Sequence, residues 1–378
     1  MSTPTPIIAP GSPTTSPPES ASPVNTNLKA TFHTLLEDIP SGDYLLILSG
    51  DRRELHYDAL SWDAAQQFPL VTISGDENTR MGGEPFFDPT SWQILGPYHD
   101  DQIEEGLYIV NLTAQELLGF SYGCDDSRHV LLPGYMAMRC AEDDVTWHFI
   151  SRQTWEVAFS RLYTETNQPK RTELEWNDET GLLVYVGDDA VGFDTICTIG
   201  SEFETTQTCQ STETFQSGRI SPDGRWIEIQ KQDDAGTHFG VLSSGCLQED
   251  NIHGCEIQWI EDAPVDERGD LSRNAVWTPD SNKILYVISQ CIGTKDFQKT
   301  TFWVYDLTTS SSKVLASFPR NCYGFHFTRD SLWSPDGSSV LIDLALEGFF
   351  LFNPETGELR RFMGNDPPLE IVGGFTIP

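Results

Sequence analysis

Trp333-Ser334-Pro335-Asp336-Gly337, followed by the strand-like Ser339-Val340-Leu341-Ile342, is the stretch that decides the fold. Proline presets φ for the first position of a tight turn, and the aspartate side chain bonds nearby backbone N–H groups. Glycine then accepts positive φ, and the aromatic ahead of the turn offers a flat surface to a neighbouring sheet. The phrase recurs upstream. Trp277-Thr278-Pro279-Asp280-Ser281 precedes Lys283-Ile284-Leu285-Tyr286-Val287, and Ile220-Ser221-Pro222-Asp223-Gly224 precedes Arg225-Trp226-Ile227-Glu228-Ile229. Counted from the Ser or Thr of each copy, the spacings are 57 and 56 residues. One such turn is a weak signal. Three at a fixed period near 50, each leading into a β-rich run, indicate an array of small repeated units.

A second phrase follows the first. Leu107-Tyr108-Ile109-Val110-Asn111-Leu112, Phe302-Trp303-Val304-Tyr305-Asp306-Leu307 and Phe349-Phe350-Leu351-Phe352-Asn353-Pro354 each lead into a polar turn. Each is an apolar strand closed by Asn or Asp, whose side chain initiates turns. Together the two phrases predict four strands per unit, in the order inner strand, S-P-D-G turn, second strand, third strand, polar turn, outer strand.

This pattern resembles the TolB-type β-propeller, a WD40-like (PD40) repeat whose blades carry W-S-P-D-G and later I-Y-V-x-D. The match is clear over 217–364 and degenerate over 40–216, where Glu175-Trp176-Asn177-Asp178-Glu179-Thr180-Gly181 is a diverged copy. The Gly-His and Trp-Asp signature of the WD repeat itself is absent. The resemblance implies an all-β chain folded as a single β-propeller of four-stranded blades. Strand spacing gives seven blades, at about 40–80, 85–122, 128–165, 170–215, 217–265, 270–320 and 325–366, with six and eight as the alternative counts. The C-terminal Glu370-Ile371-Val372-Gly373-Gly374-Phe375-Thr376-Ile377-Pro378 reads as an inner strand without its turn. The segment starting at Ser41-Gly42-Asp43-Tyr44-Leu45-Leu46-Ile47 reads as a second strand without an inner one. The C-terminal strand is therefore expected to complete the first blade and close the ring, removing two exposed edges.

The domain division is a flexible tether and lead-in over 1–39 and a propeller over 40–378. Residues 1–27 are dominated by Ser, Thr and Pro, with almost nothing to bury. They resemble the spacer behind the lipid-modified cysteine of bacterial surface lipoproteins, although that cysteine is absent here. The alternative is an ordinary disordered N-terminus. No charged n-region with an apolar h-region occurs, so no signal peptide is expected within this sequence. No run approaches 18 apolar residues, which argues against a spanning helix, while a lipid anchor through the tether stays open as a means of membrane attachment.

The formal net charge of the 378 residues is −34. Such an excess repels phosphate backbones and anionic lipid, so nucleic acid is not an expected partner. The eight cysteines, Cys124, Cys140, Cys197, Cys209, Cys246, Cys255, Cys291 and Cys322, include no C-x-x-C pair. Their even number favours disulfides and an oxidising, extracytoplasmic compartment. Eight thiols permit 105 connectivities. The preferred pairings, 197 with 209 and 246 with 255, each cross a single hairpin or loop, and the alternative is eight reduced, buried thiols.

No G-x-S-x-G, H-E-x-x-H, P-loop or dinucleotide fingerprint is present, so neither a hydrolase nucleophile nor a cofactor is expected. His33, His56, His99, His129, His148, His238, His253 and His326 are scattered; only convergence in the central channel would make a metal site, and hydrogen-bonded or exposed imidazoles are the simpler reading. Three acidic groups offer hard oxygen ligands for calcium without calcium-loop spacing: Asp100, Asp101, Glu104 and Glu105; Glu261, Asp262, Asp266, Glu267 and Asp270; and Asp188, Asp189 and Asp194. Solvated loop charge accounts for them more simply. Trp62, Trp92, Trp147 and Trp155 fall outside the clear phrases and would either line a glycan or peptide groove or pack the core. Asn111-Leu112-Thr113 is a glycosylation sequon at the end of a strand.

The turn residues Pro222, Asp223, Gly224, Trp277, Pro279, Asp280, Trp333, Pro335, Asp336 and Gly337 are thus structural. The functional expectation is a non-catalytic, secreted or surface-anchored recognition or scaffold propeller, binding a protein or glycan through loops at one face. The segments 231–238, 243–256, 261–272 and 291–301 are the candidate face. The alternatives are a metal-dependent lyase or hydrolase with its site in the channel, and a structural subunit of a surface assembly.

Overall fold

The structure, a computed structural model, describes residues 27–82, 85–100, 103–121, 128–132, 134–141, 145–162, 170–177, 181–188, 192–199, 207–215, 217–233, 236–247, 257–260, 275–291, 298–319, 325–327, 332–344, 348–363 and 370–378. Residues 1–26 of the expected tether lie outside them. The described strands form seven antiparallel sheets, and the two helical elements are single 3-10 turns. The chain is an all-β propeller. Blades 2 to 7 follow one another as 79–121, 128–162, 170–215, 217–259, 275–319 and 325–363, close to the boundaries read from sequence.

Within each of blades 3 to 7 the four strands run in chain order, each pairing with the next. In blade 6 the order is Ala275–Trp277, Lys283–Cys291, Gln298–Asp306 and Ser311–Pro319. Side chains alternate between the two sides of such a strand. Val276, Leu285, Val287 and Phe302 accordingly join Val340, Ile342, Phe350 and Phe352 of blade 7 in one apolar cluster. Ala275, Trp277, Ile284, Tyr286 and Tyr305 point the other way and join Phe239, Val241 and Ile260 of blade 5. Equivalent clusters fill the junctions of blades 1 with 2, 2 with 3, 3 with 4, and 7 with 1. Strand-to-strand contacts join blade 4 to blade 5. The core is therefore a set of layers between neighbouring sheets, returning from the seventh to the first.

Blade 1 closes the ring as the C-terminal sequence implies. Glu370–Ile377 pairs antiparallel with Gly42–Gly50, with Tyr44 opposite Phe375 and Leu46 opposite Gly373. The Tyr44 and Phe375 rings stack at 5.7 Å. Two blades exceed the four strands expected: here Lys29–Phe32 adds to the far edge by pairing with Gln67–Ser74, and in blade 2 both Thr79–Met81 and Phe86–Asp88 pair with Gln93–Asp100, so each sheet has five strands. Leu28 and Ile39, within the segment read as lead-in, are buried in the core of blade 1.

The diverged half is held by close contacts that its sequence does not announce. The hydroxyls of Tyr57 in blade 1 and Tyr108 in blade 2 meet at 2.5 Å in the buried junction, and burial pushes both phenols above their ordinary range. Tyr108 lies across Gly96 of its partner strand, where an added Cβ would come within 2.2 Å of the hydroxyl. Glycine is there because the ring occupies the space a side chain would need.

Candidate binding face

In an antiparallel four-stranded blade, the first and third hairpin connections emerge at the same end. That end carries the S-P-D-G turns, the polar Asn and Asp turns, and a repeated hydrogen-bond device. The Ser334 hydroxyl donates to Asp336 at 2.6 Å and accepts the Ser339 amide at 3.0 Å, while Asp336 accepts the Ser338 amide at 3.0 Å. Thr278 and Asp280 repeat this with the amides of Lys283 and Asn282, as do Ser221 and Asp223 with those of Trp226 and Arg225. Gly224 and Gly337 take positive φ at 71° and 68°. Ser281 takes the same place at 58° without being glycine. Its hydroxyl accepts the Asp223 amide of blade 5 at 3.0 Å, a link between blades that glycine would not provide.

The aromatics of the phrase also act between blades. The Trp277 indole donates to the Arg219 carbonyl at 3.2 Å. In the diverged half a contact between blades is ionic: the Arg152 guanidinium of blade 3 pairs with Asp88 of blade 2 and also reaches the Ser91 hydroxyl at 2.9 Å. Asp88 is buried, and the pair has no signature in the sequence because its partners are 64 positions apart.

A shallow depression of about 350 Å³ opens on this end where blade 1 meets blade 7, lined by Asp43, Tyr44, Ser61, Trp62, Asp63 and Pro335 among others. Ser61-Trp62-Asp63 is a further copy of the turn device, placed here between a third and an outer strand. The Ser61 hydroxyl donates to Asp63 at 2.5 Å and accepts the Gln66 amide at 3.0 Å. The Ser61 hydroxyl and the Ala65 amide together hold the exposed Asp63 carboxyl below its ordinary range. Asp43 accepts the Thr376 hydroxyl at 2.7 Å, so the C-terminal strand positions it. Trp62 is half-buried and tilts against Phe362 of blade 7, ring centroids 6.2 Å apart. The depression thus combines an aromatic face with two carboxylates, and its lining contains no lysine or arginine. Such a surface suits a cationic or hydroxyl-rich group.

Of the four tryptophans outside the clear phrases, Trp62 alone lines this depression. Trp147 and Trp155 are buried between blades, and Trp92 packs edge-on against Phe87 and Phe375. Segment 231–238 is mostly the paired strands Trp226–Asp233 and Gly236–Ser243 rather than an irregular insertion. Segment 261–272 lies outside the described residues, as do most of 243–256 and the middle of 291–301. Cys124, Cys255 and Cys322, with the acidic residues 261–270, also lie outside. His33 and His56 share the Thr72 hydroxyl at 2.8 and 3.1 Å on blade 1, and His148 meets Ser160 at 2.6 Å. Among the described residues no three His, Cys, Asp or Glu converge as a metal site, and no helix is long and apolar enough to cross a membrane. The sequon residue Asn111 accepts the Ala114 amide at 2.8 Å within its turn.

The sequence matches no family model and no curated protein. The fold is similar to solved structures. A periplasmic gluconolactonase of Pseudomonas aeruginosa aligns over 88% of this chain and 97% of its own at 12% identity, TM-score 0.55. A provisionally assigned 6-phosphogluconolactonase of Bacteroides fragilis aligns over 89% and 98% at 11% identity, TM-score 0.56. A protein of Lactobacillus plantarum aligns over 89% and 100% at 10% identity, TM-score 0.57. At these identities the likeness is one of fold: the chain is a β-propeller.

Proposed function

We propose that the protein is a non-catalytic recognition propeller of the TolB type, acting outside the cytoplasm and binding a basic protein segment or a glycan on the turn face. The observation that carries this reading is that the half-buried Trp62 lines one depression together with Asp43 and Asp63. A net charge of −34 favours a basic partner over an acidic one at long range. The repeated S-P-D-G phrase supports the TolB assignment, and the Ser/Thr/Pro-rich residues 1–27 support a tethered, extracytoplasmic location. The test is a titration of the full chain with basic, neutral and acidic peptides and with a glycan panel, alongside Trp62→Ala and Asp63→Asn. The reading expects a basic peptide or a glycan to bind, and Trp62→Ala to weaken it at least about tenfold. Binding unaffected by both substitutions, or no binding at all, contradicts it.

A second reading rests on the gluconolactonase folds, which favour a hydrolase acting on a lactone ring. Turnover of an aldonolactone by the purified protein, above a heat-inactivated control, would support this reading in place of the first.

A further inference from the structure

We propose that Cys197 and Cys209 form a disulfide joining the third strand of blade 4 to its outer strand. The backbone register carries this assignment. In the antiparallel pairing of Gly192–Ile199 with Gln207–Phe215, Cys197 stands directly opposite Cys209, between the unshifted pairs Ile196 with Gln210 and Thr198 with Thr208. Directly opposed residues of such a ladder have Cα atoms about 4.5 or 5.5 Å apart, depending on the class of pair. Disulfides span about 4.4–6.8 Å, so either class lies within reach. A slip of one residue would send the two side chains to opposite sides of the sheet. The irregularity of this pairing falls between Phe193 and Thr195, ahead of the two cysteines.

The composition of the outer strand gives the bond a purpose. Gln207-Thr208-Cys209-Gln210-Ser211-Thr212-Glu213-Thr214-Phe215 offers almost no apolar side chain to anchor an edge strand. A covalent tie supplies the attachment that burial does not. In the reaction each thiol gives up its proton and one sulfur–sulfur bond forms. The two electrons pass to a disulfide oxidant such as oxidised glutathione, which is released as two thiols. The competing partner is Cys246, in the 3-10 turn Ser244–Leu247, which packs on both strands.

The full chain is equilibrated in a glutathione redox buffer, alkylated without reduction, and cleaved after glutamate. Glu202 and Glu204 separate the two cysteines, whereas no lysine or arginine lies between them. The expected result is a linked pair of peptides carrying Cys197 and Cys209 that separates on reduction. In parallel, Cys209→Ser lowers the melting temperature by about 3–6 °C under oxidising but not reducing conditions. A link from Cys197 to Cys246 or to any other cysteine, or two alkylated thiols at 197 and 209, overturns the proposal.

Discussion

The indole Nε1 of Trp333 donates a hydrogen bond to the backbone carbonyl of Trp277 at 3.0 Å, across the junction between blades 7 and 6. Trp277 makes the same kind of bond to blade 5, so the repeat in sequence reappears as a relay from blade 7 to blade 6 and from blade 6 to blade 5. Trp277 is also buried in the apolar layer between blades 5 and 6. Replacing it with phenylalanine keeps most of that packing and removes the donor, at an expected cost of about 1 kcal/mol. Alanine removes both and should cost about 3–5 kcal/mol. Urea unfolding of the two variants measures the difference between them.

Asp88 and Arg152 link blades 2 and 3 through charge. The carboxylate is nearly dry, so Asp88→Asn leaves a guanidinium facing a poor partner and should destabilise by about 3 kcal/mol. The paired change Asp88→Asn with Arg152→Gln should cost less than the sum of the single changes, because neither charge is then stranded. A double-mutant cycle in urea gives the coupling. Strict additivity would show that the pair contributes nothing across this junction.

Acid should loosen the turn face through its aspartates. Asp336 is lowered to about 2, first by the Ser334 hydroxyl and then by the Ser338 amide and hydroxyl, from an unfolded value near 3.8. Asp306 is held low in the same way, chiefly by the Thr308 hydroxyl. A carboxyl lowered on folding stabilises fully above its unfolded value, and that contribution disappears as the pH falls through the folded value. Asp336→Asn should therefore lower the urea midpoint at pH 7, with the gap to the parent protein closing between pH 4 and pH 2. A gap that stays constant over that interval would show that the turn does not depend on the charge.

How much of this was legible in the sequence depends on where the chemistry is local. The S-P-D-G device closes within six residues, so residues 221–226, 278–283 and 334–339 declared their turns and the strands behind them. Ring closure was legible because an unpaired inner strand at 370–378 matched an incomplete blade at 41–47. Lys29–Phe32 was missed because four residues beside a Ser/Thr/Pro-rich run carry no period of their own, and only the open edge at Gln67–Ser74 selects them. Asp88 with Arg152 and Tyr57 with Tyr108 were beyond reach because register and curvature bring them together, not spacing. Trp62 was read with Trp92, Trp147 and Trp155 as one undivided set. Burial separates them, and sequence offers no measure of burial for a lone tryptophan in a diverged repeat.

The claim on which the rest depends is that the sheets form a ring completed by the last strand. Its most direct test is amide hydrogen exchange in the full chain and in a chain lacking 370–378. Residues 42–50 should be strongly protected in the full chain. In the shortened chain that protection should be lost at 42–50 while Gln298–Asp306 of blade 6, two blades away, stays protected. Unchanged protection at 42–50 after the deletion would mean that Gly42–Gly50 does not depend on the C-terminal strand, and that the ring is not closed there.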